Sequence, residues 1–103
     1  MIDPLPVKVT RRAEREIEKA DRWWRRNREA APDALREELR NALRLIAAQP
    51  SIGARAESTK LPGVRRIHLS RVHYHVYYRL RPDGNAVEVL ALWHARRGPS
   101  PGI

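Results

Sequence analysis

The hydrophobic period changes once along this 103-residue chain, and that change limits its possible folds more than any other feature. Between Arg11 and about Glu29 the apolar residues Ala13, Ile17, Ala20 and Trp24 recur at steps of four, three and four, one stripe of an amphipathic helix. Ala30-Ala31-Pro32 breaks it. Pro32 is expected as the first residue of a second helix, with Asp33, Glu37 and Glu38 near its positive end and Leu35, Leu39, Ala42, Leu43 and Ile46 as its stripe, until Pro50 stops it. So short a break turns the two helices back on each other as a hairpin. Beyond a polar loop over 51–63 the period becomes β-like, in three runs rich in valine, tyrosine and leucine over 64–69, 72–81 and 86–95.

Ser70-Arg71 and Pro82-Asp83-Gly84-Asn85 are the expected turns between these runs. Ahead of the first helix, residues 5–10 (LPVKVT) read as a short strand whose Thr10 can cap the helix. The order predicts an α+β fold in one domain over 1–103: an N-terminal strand, an α-helical hairpin, then a three-stranded antiparallel meander. Where the N-terminal strand joins the sheet stays open. The tail GPSPGI is too short and proline-rich for a helix.

The turns set a register. A two-residue turn pairs Leu69 with Val72 and Ile67 with Tyr74, and a four-residue turn pairs Leu80 with Val87, Tyr78 with Val89 and Tyr74 with Trp93. Ile67, Leu69, Val72, Tyr74, Val76, Tyr78, Val89 and Trp93 are then expected against the helices. The other face would carry Arg66, His68, His73, His75, Tyr77, Arg79, Glu88, Leu90, Leu92 and His94, which includes every histidine of the chain.

Charge narrows the partners. Lysine and arginine number 21 against 12 acids, a formal charge of +9 at pH 7. Residues 51–103 hold 9 of the bases and only 3 of the acids, so the excess lies mainly in the C-terminal half. Such a field attracts nucleic acid, an acidic protein or anionic lipid alike. The absence of cysteine removes disulfides and thiolate chemistry and fits the cytoplasm, and neither a membrane-spanning run nor a secretion signal is evident.

Several pieces, VTRRAEREIEKADRWW, LREELRNALRLIAAQPSIG, VRRIHL, VHYHVYYRL and VLALWHARRGP, resemble in order and spacing the RelE/ParE superfamily of toxins from bacterial type II toxin-antitoxin systems. The resemblance covers nearly the whole chain. It implies a small basic toxin neutralised by a cognate acidic antitoxin, and one of two targets: DNA gyrase in ParE-like members, or mRNA on the ribosome in RelE-like members. For RelE-like endonucleases the matching positions are Arg65 or Arg66, Arg79 and His94, with Arg96 and Arg97 beyond. The lysine-rich patch some of them use is missing, since the loop offers only Lys60, and the terminal WHARRGP is more similar to ParE-like sequences. The ParE-like branch is therefore preferred.

RNA cleavage through a 2′-hydroxyl needs a base, an acid and cations around phosphorus. In the register above His68, His73 and His94 form one row across the strands, with Arg66 and His75 in the next. His94, Arg66 and Arg79 are the catalytic candidates if the chain is RelE-like; Arg65, Arg66, His94, Arg96 and Arg97 are the candidates for binding the target. The same residues are equally ordinary polar groups on a solvated face. Three imidazoles in a row also suit zinc, but no carboxylate second shell is evident and the superfamily implies no metal or cofactor. Arg79 opposite Glu88 reads as a cross-strand ion pair. Leu90 and Leu92 on the basic face, and Trp23 off the core stripe of the first helix, are the expected antitoxin contacts.

Overall fold

The structure, a computed structural model, describes residues 3–57, 59–98 and 101–103. The expectation for the tail therefore lies partly outside the described residues, at 99 and 100. Strand β1 (Val7–Val9) leads into helix α1 (Arg11–Asn27). Thr10 caps α1 as expected, its Oγ1 accepting from the Ala13 amide at 3.1 Å. Helix α2 spans Ala34–Ala48. Its cap position is Asp33, so Pro32 sits in the turn before the helix instead of opening it. The hairpin is held by named contacts. Trp24 Nε1 donates to the Ala31 carbonyl at 2.8 Å. Asp21, buried on α1, takes Arg25 of its own helix and Arg36 of α2, each at 3.2 Å.

The sheet has five strands in the order β1-β5-β4-β3-β2, where β2 is Ala54–Arg55, β3 Arg65–Leu69, β4 Tyr74–Leu80 and β5 Val87–His94. One feature corrects the sequence reading and a second supplies what it left open. The polar loop contains the two-residue strand β2, antiparallel to β3. The N-terminal strand runs parallel to β5, with Val7 beside Val87 and Val9 beside Val89, so the sheet is mixed.

The β3–β4 register is also displaced. Leu69 faces Tyr74 and Ile67 faces Val76, because the turn takes Ser70–His73 and not Ser70-Arg71 alone. The His73 amide closes it on the Leu69 carbonyl at 2.8 Å. This is a slip by two residues, and with a side-chain period of two every side chain keeps its face. Between β4 and β5 the pairing of Leu80 with Val87 and Tyr78 with Val89 is as expected, but a bulge follows. Tyr77 pairs with Ala91, so both Leu90 and Ala91 point away from the helices and every later residue of β5 changes sides. Leu92 enters the helix-side core at 3% exposure, Trp93 moves to the outer face, and His94 pairs with Tyr74 on the helix side.

The helix-side core joins the α1 and α2 stripes to Leu69, Val72, Val76, Tyr78, Val87, Val89 and Leu92. Leu35, Leu39, Ile46, Val76 and Val89 are buried as expected, each such side chain stabilising the fold by roughly 1.5–3 kcal/mol. The outer face has a smaller core of its own: Val64, Tyr77, Leu90 and Ala91, with Leu61, Trp93 and Ile103 packed around it. The chain end is drawn over this face by two bonds. The Lys60 amide donates to the Ile103 carbonyl at 2.6 Å, and Arg12 donates to the Pro101 carbonyl.

Beyond Val89, β5 has no strand on its β1 side among the described residues, and α1 and its cap supply the partners. Glu16 Oε1 accepts from the Leu92 amide at 3.2 Å, and Thr10 Oγ1 donates to the Leu90 carbonyl at 3.4 Å. No helix among the described residues is long and apolar enough to cross a membrane.

Candidate functional site

The expected row of histidines does not form. Across β3 and β4 it is His68 that faces His75, their rings 4.8 Å apart, while His73 lies in the turn with its ring 6.4 Å from His68. The bulge sends His94 to the other side of the sheet, where its ring meets Tyr74 edge-on at 5.1 Å. Its Nδ1 accepts from the Arg96 amide at 3.1 Å, which leaves the proton on Nε2. No group of three or more His, Cys, Asp or Glu side chains among the described residues is placed to hold a metal ion.

The outer face retains a polar hollow of about 400 Å3 whose lining includes Arg55, Glu57, Arg66, His75, Tyr77 and Trp93. His75 Nδ1 is buried there with no hydrogen-bond partner among the described residues. Burial pushes the His75 pKa below its ordinary value, and the nearby Arg66 and His68 push the same way. The imidazole is thus held neutral. Arg79 is engaged with Glu88 at 3.1 Å, as expected, and Arg81 shares the same carboxylate at 3.5 Å. Arg65 donates to the Gly53 carbonyl at 2.8 Å and so ties β3 to the loop before β2. Of the candidate nuclease set, Arg66 and Arg79 share the outer face and His94 does not.

A larger cleft of about 640 Å3 opens on the helix side, between the C-terminal half of α1 and the ends of β4 and β5. Trp23, Trp24, His73, Tyr74 and His94 put five ring-bearing side chains on it. Lys19, Arg28, Arg71, Arg96 and Arg97 supply its positive charge, against Glu16 as the single carboxylate of its lining. Trp23 is 47% exposed, with the Arg28 guanidinium 5.3 Å from its ring centroid. Arg97 lies at the rim, its guanidinium 3.9 Å from the centroid of Trp93, whose Nε1 donates back to the Arg97 carbonyl at 2.9 Å.

The candidate target-binding residues therefore divide. His94, Arg96 and Arg97 gather at this cleft, Arg66 stands on the outer face, and Arg65 is a structural tie. The candidate antitoxin contacts divide too. Trp23 is exposed, Leu90 is covered by the outer core at 5% exposure, and Leu92 lies inside against the helices. Sequence reasoning missed Lys19, Arg28, Arg71 and His73 as members of one site. Glu16, Lys19 and Trp23, at steps of three and four, were legible as one helix face; what that face meets was not.

A family model described as the ParE toxin of type II toxin-antitoxin system, parDE, matches residues 7–99. Among solved structures, the chain is similar to one of the chromosomal ParDE toxin-antitoxin system of P. aeruginosa, at a TM-score of 0.70 and 20% identity, covering 89% of this chain and 97% of that one. It is similar to the RelBE2 toxin-antitoxin complex of Mycobacterium tuberculosis at 0.63 and 22%, covering 89% and 99%. The intact E. coli RelBE toxin-antitoxin complex gives 0.62 and 22%, covering 90% and 99%. No curated protein sequence matches the chain.

Proposed function

The chain belongs to the ParE toxin family of type II toxin-antitoxin systems, and on that premise we propose that residues 1–103 act in the cytoplasm as one ParE-like toxin domain that inhibits DNA gyrase and is neutralised by a cognate acidic antitoxin. The observation that carries this reading is the bulge at Leu90-Ala91. It removes His94 from the face that holds Arg66 and Arg79, so the candidate acid or base is parted from two of its candidate phosphate ligands. Inhibition by binding needs no such convergence. The exposed arginines 96 and 97 then serve as the contacts to gyrase or its DNA, and Trp23 as the apolar anchor offered to the antitoxin. With Leu90 covered and Leu92 inside, neither leucine is retained as an antitoxin contact. The +9 charge steers an acidic partner to the chain.

A second reading, a RelE-like endonuclease acting on ribosome-bound mRNA, is favoured by one feature: the neutral His75 beside Arg66 in the outer hollow. Purified gyrase supercoiling and translation-coupled mRNA cleavage, run side by side, separate the two. The gyrase reading expects lost supercoiling and intact mRNA, with His94→Ala still toxic in cells and Arg96→Ala with Arg97→Ala tolerated. Cleaved mRNA with unimpaired gyrase would overturn it. Loss of cleavage in His75→Ala would then locate the chemistry on the outer face.

A further inference from the structure

The chemistry of the helix-side cleft is more specific than a general basic surface. Two of its charges are engaged with groups of opposite charge or with backbone: Glu16 pairs with Arg12 at 3.5 Å and accepts the Leu92 amide, and Arg71 pairs with Glu37 at 3.2 Å, while Arg28 and Arg97 rest on the rings of Trp23 and Trp93. Lys19, Arg28, Arg96 and Arg97 have no carboxylate partner among the described residues, although 12 acids are present in the chain. Cations left unpaired around one opening are sites for an anion that comes from outside.

The aromatic content identifies which anion. Cations alone recognise any carboxylate or phosphate, whereas exposed rings add π-faces on which bases stack. Here Trp23 stays 47% exposed on one wall, and His73 and His94 stand on the other. His73 holds a left-handed backbone at φ +62, a conformation that side-chain-bearing residues rarely adopt. Bonds on both sides fix it, from its amide to Leu69 and from the Ala95 amide to its carbonyl, each at 2.8 Å. Between the walls the floor is apolar, made by Ala20, Val72 and Leu92. His94 Nε2–H, its proton placed by the Arg96 amide on Nδ1, is a spare donor for a base edge or a phosphate oxygen.

Rings alternating with unpaired cations around an apolar floor are the recognition chemistry of unstacked nucleotides, with π-faces for bases and guanidinium groups for the backbone. A volume of about 640 Å3 lies within the small-ligand range of roughly 300–1,000 Å3, and stacking on a side chain requires a base that is not already stacked in a duplex. We infer that this cleft is a binding site for single-stranded nucleic acid, with a base against Trp23 and the phosphates on Arg28, Arg96 and Arg97. The inference shares Arg96 and Arg97 with the gyrase reading but rests on the cleft itself. An antitoxin resting on Trp23 would close it.

The test is fluorescence anisotropy of labelled oligo-dT and oligo-U with the purified full chain, from 50 to 200 mM salt. Saturable binding of either strand that a duplex of equal length does not match is expected. Trp23→Ala is expected to weaken it roughly 5- to 160-fold, the usual value of one base-aromatic stack. Arg96→Ala with Arg97→Ala is expected to lower the slope of log K against log salt by about 0.7 for each phosphate no longer neutralised. Arg44→Ala, a basic change on α2 away from the cleft, controls for net charge and leaves binding within about twofold. Trp23 is about half exposed and lies outside the buried core, so its variant is expected to stay folded, which a melting profile checks; Arg28→Ala gives an independent variant in the same wall. Unchanged binding in both Trp23→Ala and Arg28→Ala, equal binding of duplex, or equal displacement by polyglutamate and oligo-dT would overturn the proposal. A failed gyrase assay would leave this result untouched.

Discussion

Replacing Tyr78 by phenylalanine removes one oxygen from the centre of the fold, and the structure gives the size of the effect. Tyr78 is fully buried, and its Oη accepts from the Gly53 amide at 2.8 Å while donating to the Pro50 carbonyl at 2.9 Å. Burial raises the Tyr78 pKa, so the hydroxyl keeps its proton and its role as donor. These two bonds fasten the exit of α2 to the sheet and so position β2 and the rim of the outer hollow. Tyr78→Phe keeps the ring and its apolar burial. It leaves the buried Gly53 amide without an acceptor, a loss of about 1–3 kcal/mol, while the half-buried Pro50 carbonyl can turn to water. In a chain of this size that lowers Tm by roughly 5–15 °C. Circular-dichroism melts give the shift, and urea titration is expected to lower the midpoint at unchanged m. Gly53→Ala supplies an independent check, because a Cβ there would lie 2.6 Å from Tyr78 Oη and 2.7 Å from the Arg66 carbonyl. Since the second clash is with backbone, Gly53→Ala remains destabilising in the Tyr78→Phe background. A Tyr78→Phe protein melting within about 2 °C of wild type would refute the assignment of these bonds.

Further outcomes follow from other contacts. His75 has a folded-state pKa below its unfolded value, so it favours the fold while neutral. Stability is expected to fall as pH drops below about 6.5, where the unfolded chain takes up the proton first. Melts from pH 7.5 to 5 are expected to show a smaller decline in His75→Gln, with Arg66, His68 and Tyr77 still facing the site. Leu92→Ala is expected to cost about 2–5 kcal/mol as a core truncation, whereas Trp23→Ala stays within about 0.5 kcal/mol. Chemical denaturation measures both, and equal losses would place Leu92 at the surface. Asp21→Ala unpairs Arg25 and Arg36 together and is expected to lower the denaturation midpoint, by less at high salt than at low salt.

Periodicity alone determined the helical hairpin, because apolar spacing on α1 and α2 is a local property that nothing distant can change. The Thr10 cap, the stops around Pro32 and Pro50 and the Pro82–Asn85 turn are local for the same reason. The faces of β3 and β4 were legible even though their turn was misjudged, since a slip by two residues conserves the side of every side chain. Residues 89–93, Val-Leu-Ala-Leu-Trp, were not legible: an unbroken apolar run carries no alternation, so either face can take each residue. Only packing chose between them. Leu90 and Ala91 are both held outward by Val64, Tyr77, Leu61 and Ile103, and Leu92 is drawn inward by the helices. That single extra residue moved His94 from the outer face to the cleft and Trp93 the other way. The parallel seat of β1 beside β5 and the meeting of Lys19 and Trp23 with His73 and Arg96 are likewise tertiary. They join residues about 50 to 80 positions apart, for which no local propensity speaks.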